Sequence, residues 1–223
     1  MDTTHTAFSP LPACPDADYI AVSLRKWMGV ASGGLAIKRK GTFGVKPIPI
    51  NEEQFSLRDQ ALQSRETYEH TGNENYNKEG NDVFWKAEFM LREIFDIQEG
   101  DEASLKTILH YPFRDAICKR QENYRYLLEH LPERADIRPV FPYLSDDICP
   151  MFFPFFVENR DNLIRHLADR HIPPKVYWPV PPFVKVEDYP GAQYIYSHIM
   201  SVSCDERFNT DDMQKIVEAF ENY

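Results

Sequence analysis

A lysine that follows a predicted strand is the residue best suited to covalent chemistry in this chain. Ser23 and Lys26 lie where the strand is predicted to end, and Gly33-Gly34 predicts a turn soon after them. A lysine amine in such a setting can form a Schiff base with an aldehyde cofactor. The Ser-x-x-Lys spacing is weak by itself, and a solvated lysine past a strand end is the alternative interpretation. Serine acylases also use this spacing, but the Ser-Asp-Asn and Lys-Thr-Gly segments that they need do not occur here.

Asp2 could supply the second group that pyridoxal phosphate (PLP) chemistry requires. This chemistry needs a lysine for the Schiff base and an acidic residue that faces the pyridine nitrogen. The acid keeps the nitrogen protonated, so the ring can take up electrons while the lysine moves a proton. In a doubly wound sheet, ligands bind at the carboxyl ends of neighbouring strands. We therefore expect Asp2 and Lys26 to project from that edge of one sheet.

The composition favours a globular protein over a disordered one. The 223 residues are 43% hydrophobic and 13% aromatic, and their net charge is −10. The acidic balance argues against nucleic acid or an anionic membrane surface as the main partner. No run of about 18 apolar residues that could span a membrane occurs. No secretory signal or Cys-x-x-Cys pair is visible, so we expect a cytoplasmic protein with reduced thiols.

The histidines do not predict a metal site, because they show neither His-Glu-x-x-His nor His-x-His spacing.

Hydrophobic periodicity predicts a mixture of strands and helices. The predicted strands cover residues 18–24, 35–38, 140–141 and 151–157. The predicted helices cover residues 51–69, 82–97, 113–131, 161–170 and 210–220. Residues 70–81 are predicted to be a loop because they are rich in glycine and asparagine. Pro154 predicts an edge or bulged position for its strand, because proline cannot donate a ladder hydrogen bond.

These motifs resemble the carboxyl-terminal part of the DegT/DnrJ/StrS family of PLP-dependent aminotransferases. The family's Asp-x-x-His/Gln element is matched by Asp2-Thr3-Thr4-His5. Its Ser-x-x-Lys element and the Gly-Gly that follows are matched by Ser23, Lys26 and Gly33-Gly34. Later segments match in order and spacing, so the similarity spans essentially the whole chain. These segments are Arg120–Leu127, Cys149–Pro154, Asn159–Asp161, Tyr177–Pro179, Ser203–Phe208 and Asp212-Met213.

The resemblance implies a role for each matched residue. Lys26 would form the Schiff base and transfer protons, and Asp2 would pair with the pyridine nitrogen. His5 would lie near the ring hydroxyl, and Ser23 would contact the phosphate.

Two further residues are weaker candidates for substrate contact. Arg207 could reach a substrate carboxylate or phosphate, and a surface or structural ion pair is the alternative. Trp178 could line a pocket, and a packing anchor is the alternative.

The resemblance also implies a fold and an activity. The expected fold is α/β: residues 1–110 form part of a type-I PLP-transferase large domain with a helical insert, and residues 111–223 form a small carboxyl-terminal α+β domain. The expected reaction passes an amino group from an amino acid to a keto acceptor, with a nucleotide-linked sugar as one option, in a homodimer. Leu24-Arg25 departs from the Phe-His that sugar aminotransferases more often have.

The alternative is a truncated, non-catalytic remnant or a half-chain that needs another polypeptide to complete its site. In the family, the part that precedes Asp2 supplies the helix N-terminus that cradles the phosphate. On this view, we expect the isolated chain to bind PLP weakly.

Overall fold

The structure, a computed structural model, describes residues 1–10, 16–177 and 179–223. These residues divide into two units. The first holds the described residues of Met1–Ala7 and Leu11–Tyr111, and the second holds Phe8–Pro10 and Pro112–Tyr223.

Two antiparallel strands form the sheet of the first unit. Strand β1 spans Tyr19–Ser23 and strand β2 spans Gly34–Lys38, which confirms the strands predicted here. Their register runs from Tyr19 opposite Lys38 to Ser23 opposite Gly34. On the other side of β1, Asp2 forms a parallel bridge with Ala21. The start of the chain thus lies beside β1 as a short parallel neighbour.

Three helices follow the sheet in the first unit. Helix α1 spans Glu52–Thr71, helix α2 spans Glu74–Leu91 and helix α3 spans Glu102–His110. The helix predicted over 51–69 is confirmed, whereas α3 was not predicted.

The loop predicted over 70–81 is wrong, because only Gly72 and Asn73 separate α1 from α2. Gly72 ends α1 at a left-handed φ of 65°, and the Asn73 side chain caps α2 by accepting a hydrogen bond from the Asn75 amide. A Cβ at Gly80 would meet Ser64 Cβ at 3.2 Å. This glycine therefore permits close helix packing and does not mark a loop.

A shared carboxylate connects the lysine segment with the two long helices. Glu88 Oε1 on α2 accepts hydrogen bonds from Arg25 Nη1 and from Arg58 Nη1, each at 2.9 Å. Arg58 is only 5% exposed, and its guanidinium lies 4.8 Å from the Phe84 ring centroid. Burial is the main cause that lowers the Arg58 pKa, the Arg25 charge adds to it, and Glu88 opposes both. Glu88 is therefore the counterion that makes burial of this arginine tolerable.

We predict that Glu88→Gln lowers the free energy of unfolding by about 2 kcal/mol, because it leaves the Arg58 cation buried without a carboxylate. Urea denaturation measures this change. The matched control is Glu69→Gln on α1, where the ion pair with Arg65 is exposed and worth at most about 0.5 kcal/mol. Equal losses in the two variants would contradict the counterion role.

The second unit is built on a three-stranded antiparallel sheet. Strand β3 spans Ile137–Pro139, β4 spans Phe153–Val157 and β5 spans Ile199–Val202, in the order β3-β4-β5. The strand over 151–157 is thus confirmed, but the strand predicted over 140–141 is wrong, since β3 ends at Pro139.

The edge position predicted for the strand with Pro154 is also wrong, because β4 is the central strand. The Pro154 carbonyl accepts a hydrogen bond from the Val140 amide at 3.0 Å, just beyond the end of β3. Proline has no backbone N–H to donate to the neighbouring strand. Here the missing hydrogen bond would lie just past the end of the β3–β4 pairing, so the ladder between the two strands is not interrupted.

Four helices complete the second unit. Helix α4 spans Phe113–His130, α5 spans Arg160–Ala168, α6 spans Pro190–His198 and α7 spans Thr210–Glu221. The periodicity predicted α4, α5 and α7, while α6 was missed. One sheet face packs a core whose fully buried members include Leu127, Phe153, Phe155, Leu163, Leu167, Met200 and Phe220.

The loop that follows β5 is held by one buried amide on α4. Asn123 Nδ2 donates to the carbonyls of Cys204, Asp205 and Phe208 at 3.4, 3.1 and 3.0 Å. Asn123 is fully buried. Its amide nitrogen therefore fixes the backbone of the segment that carries Arg207.

We predict that Asn123→Asp destabilises the chain by about 3 kcal/mol or more, because a carboxylate would face three carbonyl oxygens in a buried site. Thermal or urea unfolding measures the loss. Asn209→Asp serves as the control, since an aspartate caps a helix as well as the asparagine that caps α7 here. A similar small effect in both variants would refute the anchoring role of Asn123.

Candidate active site

The residues of the Asp-x-x-His element lie beside the strand that leads to Lys26. The Ala21 amide donates to the Met1 carbonyl, and the Thr3 amide donates to the Ala21 carbonyl, each at 2.9 Å. This pairing is parallel. Parallel neighbours present their carboxyl ends at the same edge of a sheet, so the residues that follow them share that edge.

Lys26 ends a single turn of 3-10 helix, Leu24–Lys26, directly after β1. Leu24 and Trp27 on either side are buried, and Lys26 itself is exposed. The Leu24 amide donates to the Gly33 carbonyl at 2.7 Å, which closes the loop between β1 and β2. Two buried apolar side chains thus fix this turn to the unit and leave the lysine outside the core.

Asp2 is exposed, and its carboxylate is held by its own turn. Asp2 Oδ1 accepts a hydrogen bond from the Thr4 amide at 2.8 Å. Hydrogen bonds from Thr4, first from its side chain and then from its backbone, lower the Asp2 pKa. The carboxylate is therefore ionised at neutral pH, as a partner of a pyridinium nitrogen must be.

His5 and Ser23 lie on the same two segments. His5 is exposed in the 3-10 turn Thr4–Thr6, and Ser23 is the half-buried last residue of β1. The Ser23 amide donates to Thr4 Oγ1 at 3.1 Å. Of the sequence-predicted site residues, Asp2, His5, Ser23 and Lys26 are thus carried by two neighbouring segments of the first unit.

The two weaker candidates have different outcomes. Arg207 lies in the second unit and pairs with Asp205 through two bonds of 3.0 Å each, from Nε and Nη2. An ion pair of this kind is what the alternative interpretation expects. Burial has the largest single effect on the Asp205 pKa and raises it, but the hydrogen bonds and charge of Arg207, with the charge of Arg120, outweigh burial and lower the pKa overall. Trp178 lies outside the described residues.

Sequence reasoning missed Thr4 and Trp27. Trp27 is 3% exposed, and its indole Nε1 donates to the Thr4 carbonyl at 2.6 Å. The available signal was the tryptophan itself, because a buried indole N–H almost always needs an acceptor. The identity of that acceptor depends on the pairing of the chain start with β1, which no local pattern encodes.

The donor set on the two segments fits pyridoxal phosphate. An exposed primary amine suits the cofactor aldehyde, and an ionised carboxylate suits the pyridinium nitrogen. Within the described residues, no group of three His, Cys, Asp or Glu side chains is arranged to hold a metal ion. No helix in the described part of the chain is long and apolar enough to cross a membrane.

Sequence comparison finds no relatives for this chain. No protein-family model matches it, and no curated protein matches it significantly.

Structural comparison, in contrast, finds solved structures that superpose on nearly the whole chain. A protein of Streptococcus pneumoniae assigned as a sugar aminotransferase, in its PMP form, covers 99% of this chain at a TM-score of 0.59 and 15% identity. AtS13 from Actinomadura melliaura covers 100% at 0.58 and 13% identity. A DegT DnrJ EryC1 StrS aminotransferase from Brucella abortus covers 99% at 0.55 and 14% identity.

These matches cover 57%, 57% and 56% of the respective solved chains, so this chain spans just over half their length. At such low identity the likeness concerns the fold. It confirms the resemblance drawn from the motifs and the mixed α/β class predicted from it. The chain has the fold of the corresponding portion of the DegT/DnrJ/EryC1/StrS aminotransferases, the type-I fold of PLP-dependent enzymes.

Proposed function

We propose that this chain carries the lysine half of the active site of a PLP-dependent aminotransferase. The observation that carries the proposal is the parallel pairing of the Asp2 segment with β1, the strand that ends just before Lys26. It supports a shared cofactor site at one sheet edge. Pyridoxal phosphate, when bound, supplies an aldehyde that joins an amine and a ring that takes up electrons.

Lys26 is proposed to hold the cofactor through its Nζ and to move a proton during the reaction. A lysine amine is both a nucleophile and, when unprotonated, a base, so one residue can serve in both roles. Its exposed position leaves the amine accessible to the cofactor aldehyde.

The other residues of the site are proposed to orient the cofactor. Asp2 contributes a charged oxygen, Oδ2, besides the Oδ1 that the Thr4 amide holds. An ionised carboxylate keeps a facing pyridine nitrogen protonated. His5 would lie near the ring hydroxyl and Ser23 near the phosphate, as the family resemblance implies.

The proposed substrates are an amino-acid donor and a keto acceptor, with a sugar as the favoured acceptor. The support is the fold likeness to proteins described as sugar aminotransferases, one of which is solved in PLP, PMP and apo forms. Arg207 is also proposed to contact a substrate anion, in competition with Asp205, which accepts hydrogen bonds from its Nε and Nη2 at 3.0 Å each.

We predict that borohydride reduction in saturating pyridoxal phosphate attaches the cofactor to Lys26, as measured by peptide mass spectrometry. Lys26→Ala removes the label because it removes the amine. The matched control is Lys38→Ala, since Lys38 lies on the neighbouring strand and its Nζ donates to the Thr42 carbonyl at 2.7 Å. A label that persists in Lys26→Ala, or that spreads evenly over the lysines, would sink the proposal.

A second candidate is that the site is completed by another polypeptide. The support is the exposure of strand β2. Every residue of β2 except Lys38 is exposed, and these include the apolar Leu35 at 46% and Ile37 at 40%. A two-stranded antiparallel sheet is marginally stable by itself, so exposed apolar residues on its outer strand favour association with further structure. A second copy of the chain, as a homodimer, or a complementing half would supply this cover.

We predict that association governs cofactor affinity. If a second copy completes the site, the dissociation constant for pyridoxal phosphate falls as the chain concentration is raised across the dimerisation range, because only the dimer binds well. Absorbance titration beside analytical ultracentrifugation measures both quantities. Weak affinity that does not depend on chain concentration would point instead to a different polypeptide. Tight affinity in the monomer would overturn both forms of this candidate.

A further inference from the structure

We infer that Thr4 and Trp27 are positioning residues that set the Asp2 carboxylate relative to Lys26. This inference rests on the proposed function and extends it to two residues to which the resemblance assigns no role. Neither residue needs to touch the cofactor, because both act through the segments that carry Asp2 and Lys26.

Thr4 is hydrogen-bonded to three different residues through three of its atoms. Its amide donates to Asp2 Oδ1 at 2.8 Å, and its Oγ1 accepts from the Ser23 amide at 3.1 Å. Its carbonyl accepts from Trp27 Nε1 at 2.6 Å. One residue thus connects the carboxylate with the residues immediately before and after the turn that carries Lys26.

Trp27 makes the connection rigid from the lysine side. It follows Lys26 directly and is 3% exposed, so its ring is fixed by packing. Its backbone amide donates to the Leu24 carbonyl at 2.8 Å, which closes the 3-10 turn. If the buried indole rotated away, its N–H would lose the hydrogen bond to the Thr4 carbonyl and find no water to replace it, which is costly.

The arrangement matters because cofactor chemistry tolerates little misplacement. Catalytic groups must be held within about 0.5 Å of the productive geometry by supporting hydrogen bonds. The Asp2 segment meets β1 through an isolated bridge and not through a long ladder. The hydrogen bonds of Met1 and Thr3 join this segment to Tyr19 and Ala21, in the first part of β1. The bonds of Thr4 add a restraint further along, where they join the segment to Ser23 and Trp27 on either side of the Lys26 turn.

The test compares Thr4→Val, Trp27→Phe and their double variant in the full chain. Thr4→Val removes the hydroxyl acceptor and keeps the shape, and Trp27→Phe removes the indole donor and keeps an aromatic ring. We expect each to raise the dissociation constant for pyridoxal phosphate by about fivefold, the effect of one net hydrogen bond. Since both bonds restrain one turn, we expect the double variant to lose clearly less than the product of the two factors.

Conservative and matched variants separate positioning from general stability. Thr4→Ser restores the acceptor and is expected to bind within about twofold of the unmodified chain. Thr6→Val is the control, because the bond that the Thr6 hydroxyl makes among the described residues is local: it donates to the Thr3 carbonyl at 3.4 Å. The pH midpoint of the absorbance of the Lys26-bound cofactor gives a second readout, expected to shift in Thr4→Val and Trp27→Phe but not in Thr6→Val.

The outcomes distinguish this inference from the function on which it rests. If the unmodified chain attaches the cofactor to Lys26 while Thr4→Val and Trp27→Phe keep its affinity and pH midpoint, the positioning role is overturned and the proposed function stands. If the unmodified chain attaches no cofactor, both fall. If Thr4→Val does not fold, Trp27→Phe decides the question by the same two readouts. A lower unfolding temperature with unchanged affinity in either variant indicates a structural role alone and also overturns the inference.

Discussion

The parallel pairing of the chain start with β1 is the constraint on which the candidate site depends. Side chains alternate between the faces of a strand, so a shift of one residue in this pairing would turn Asp2 to the opposite face. The bridge between Asp2 and Ala21 sets that register, with one backbone hydrogen bond on each side of it. Lys26 follows the same strand. The register of this one pairing therefore decides on which face of the sheet the Asp2 carboxylate lies, next to the strand that leads to Lys26.

Buried polar groups fix local arrangements within each of the two units. Glu88 balances Arg58 beneath the lysine segment, and in the second unit Asn123 holds the loop that follows β5. Each such group loses its hydration on folding and is tolerated only when its partners are in place. Polar groups of this kind specify one arrangement more strictly than apolar contacts do, because a misplaced partner leaves a buried charge or donor unsatisfied.

Much of the fold could be predicted from local pattern, and the failures have physical causes. Helices α4 and α7 bury a stripe of apolar residues, which periodicity detects. Strand β1 was recognised by its aromatic and β-branched residues, although only Ile20 among them is buried. The loop predicted over 70–81 failed because Gly80 serves helix packing, a property of the partner helix and not of the local sequence. The same difference between local pattern and long-range pairing applies to the candidate site. Motif spacing indicated Lys26 and Asp2, whereas Thr4 was recognisable only after the chain start had been paired with β1.

The fold is shared with the solved structures although few residues are identical. A core keeps its fold under extensive apolar substitution provided that volume and pattern persist, so 13–15% identity suffices to preserve it. The contacts of an individual polar side chain are set locally instead, and Arg207 is paired with Asp205 here. Two hydrogen-bonded contacts to the arginine help to keep that aspartate ionised. Asp205 binds two of the three guanidinium nitrogens, so an anion that approached Arg207 would meet a competing carboxylate beside it.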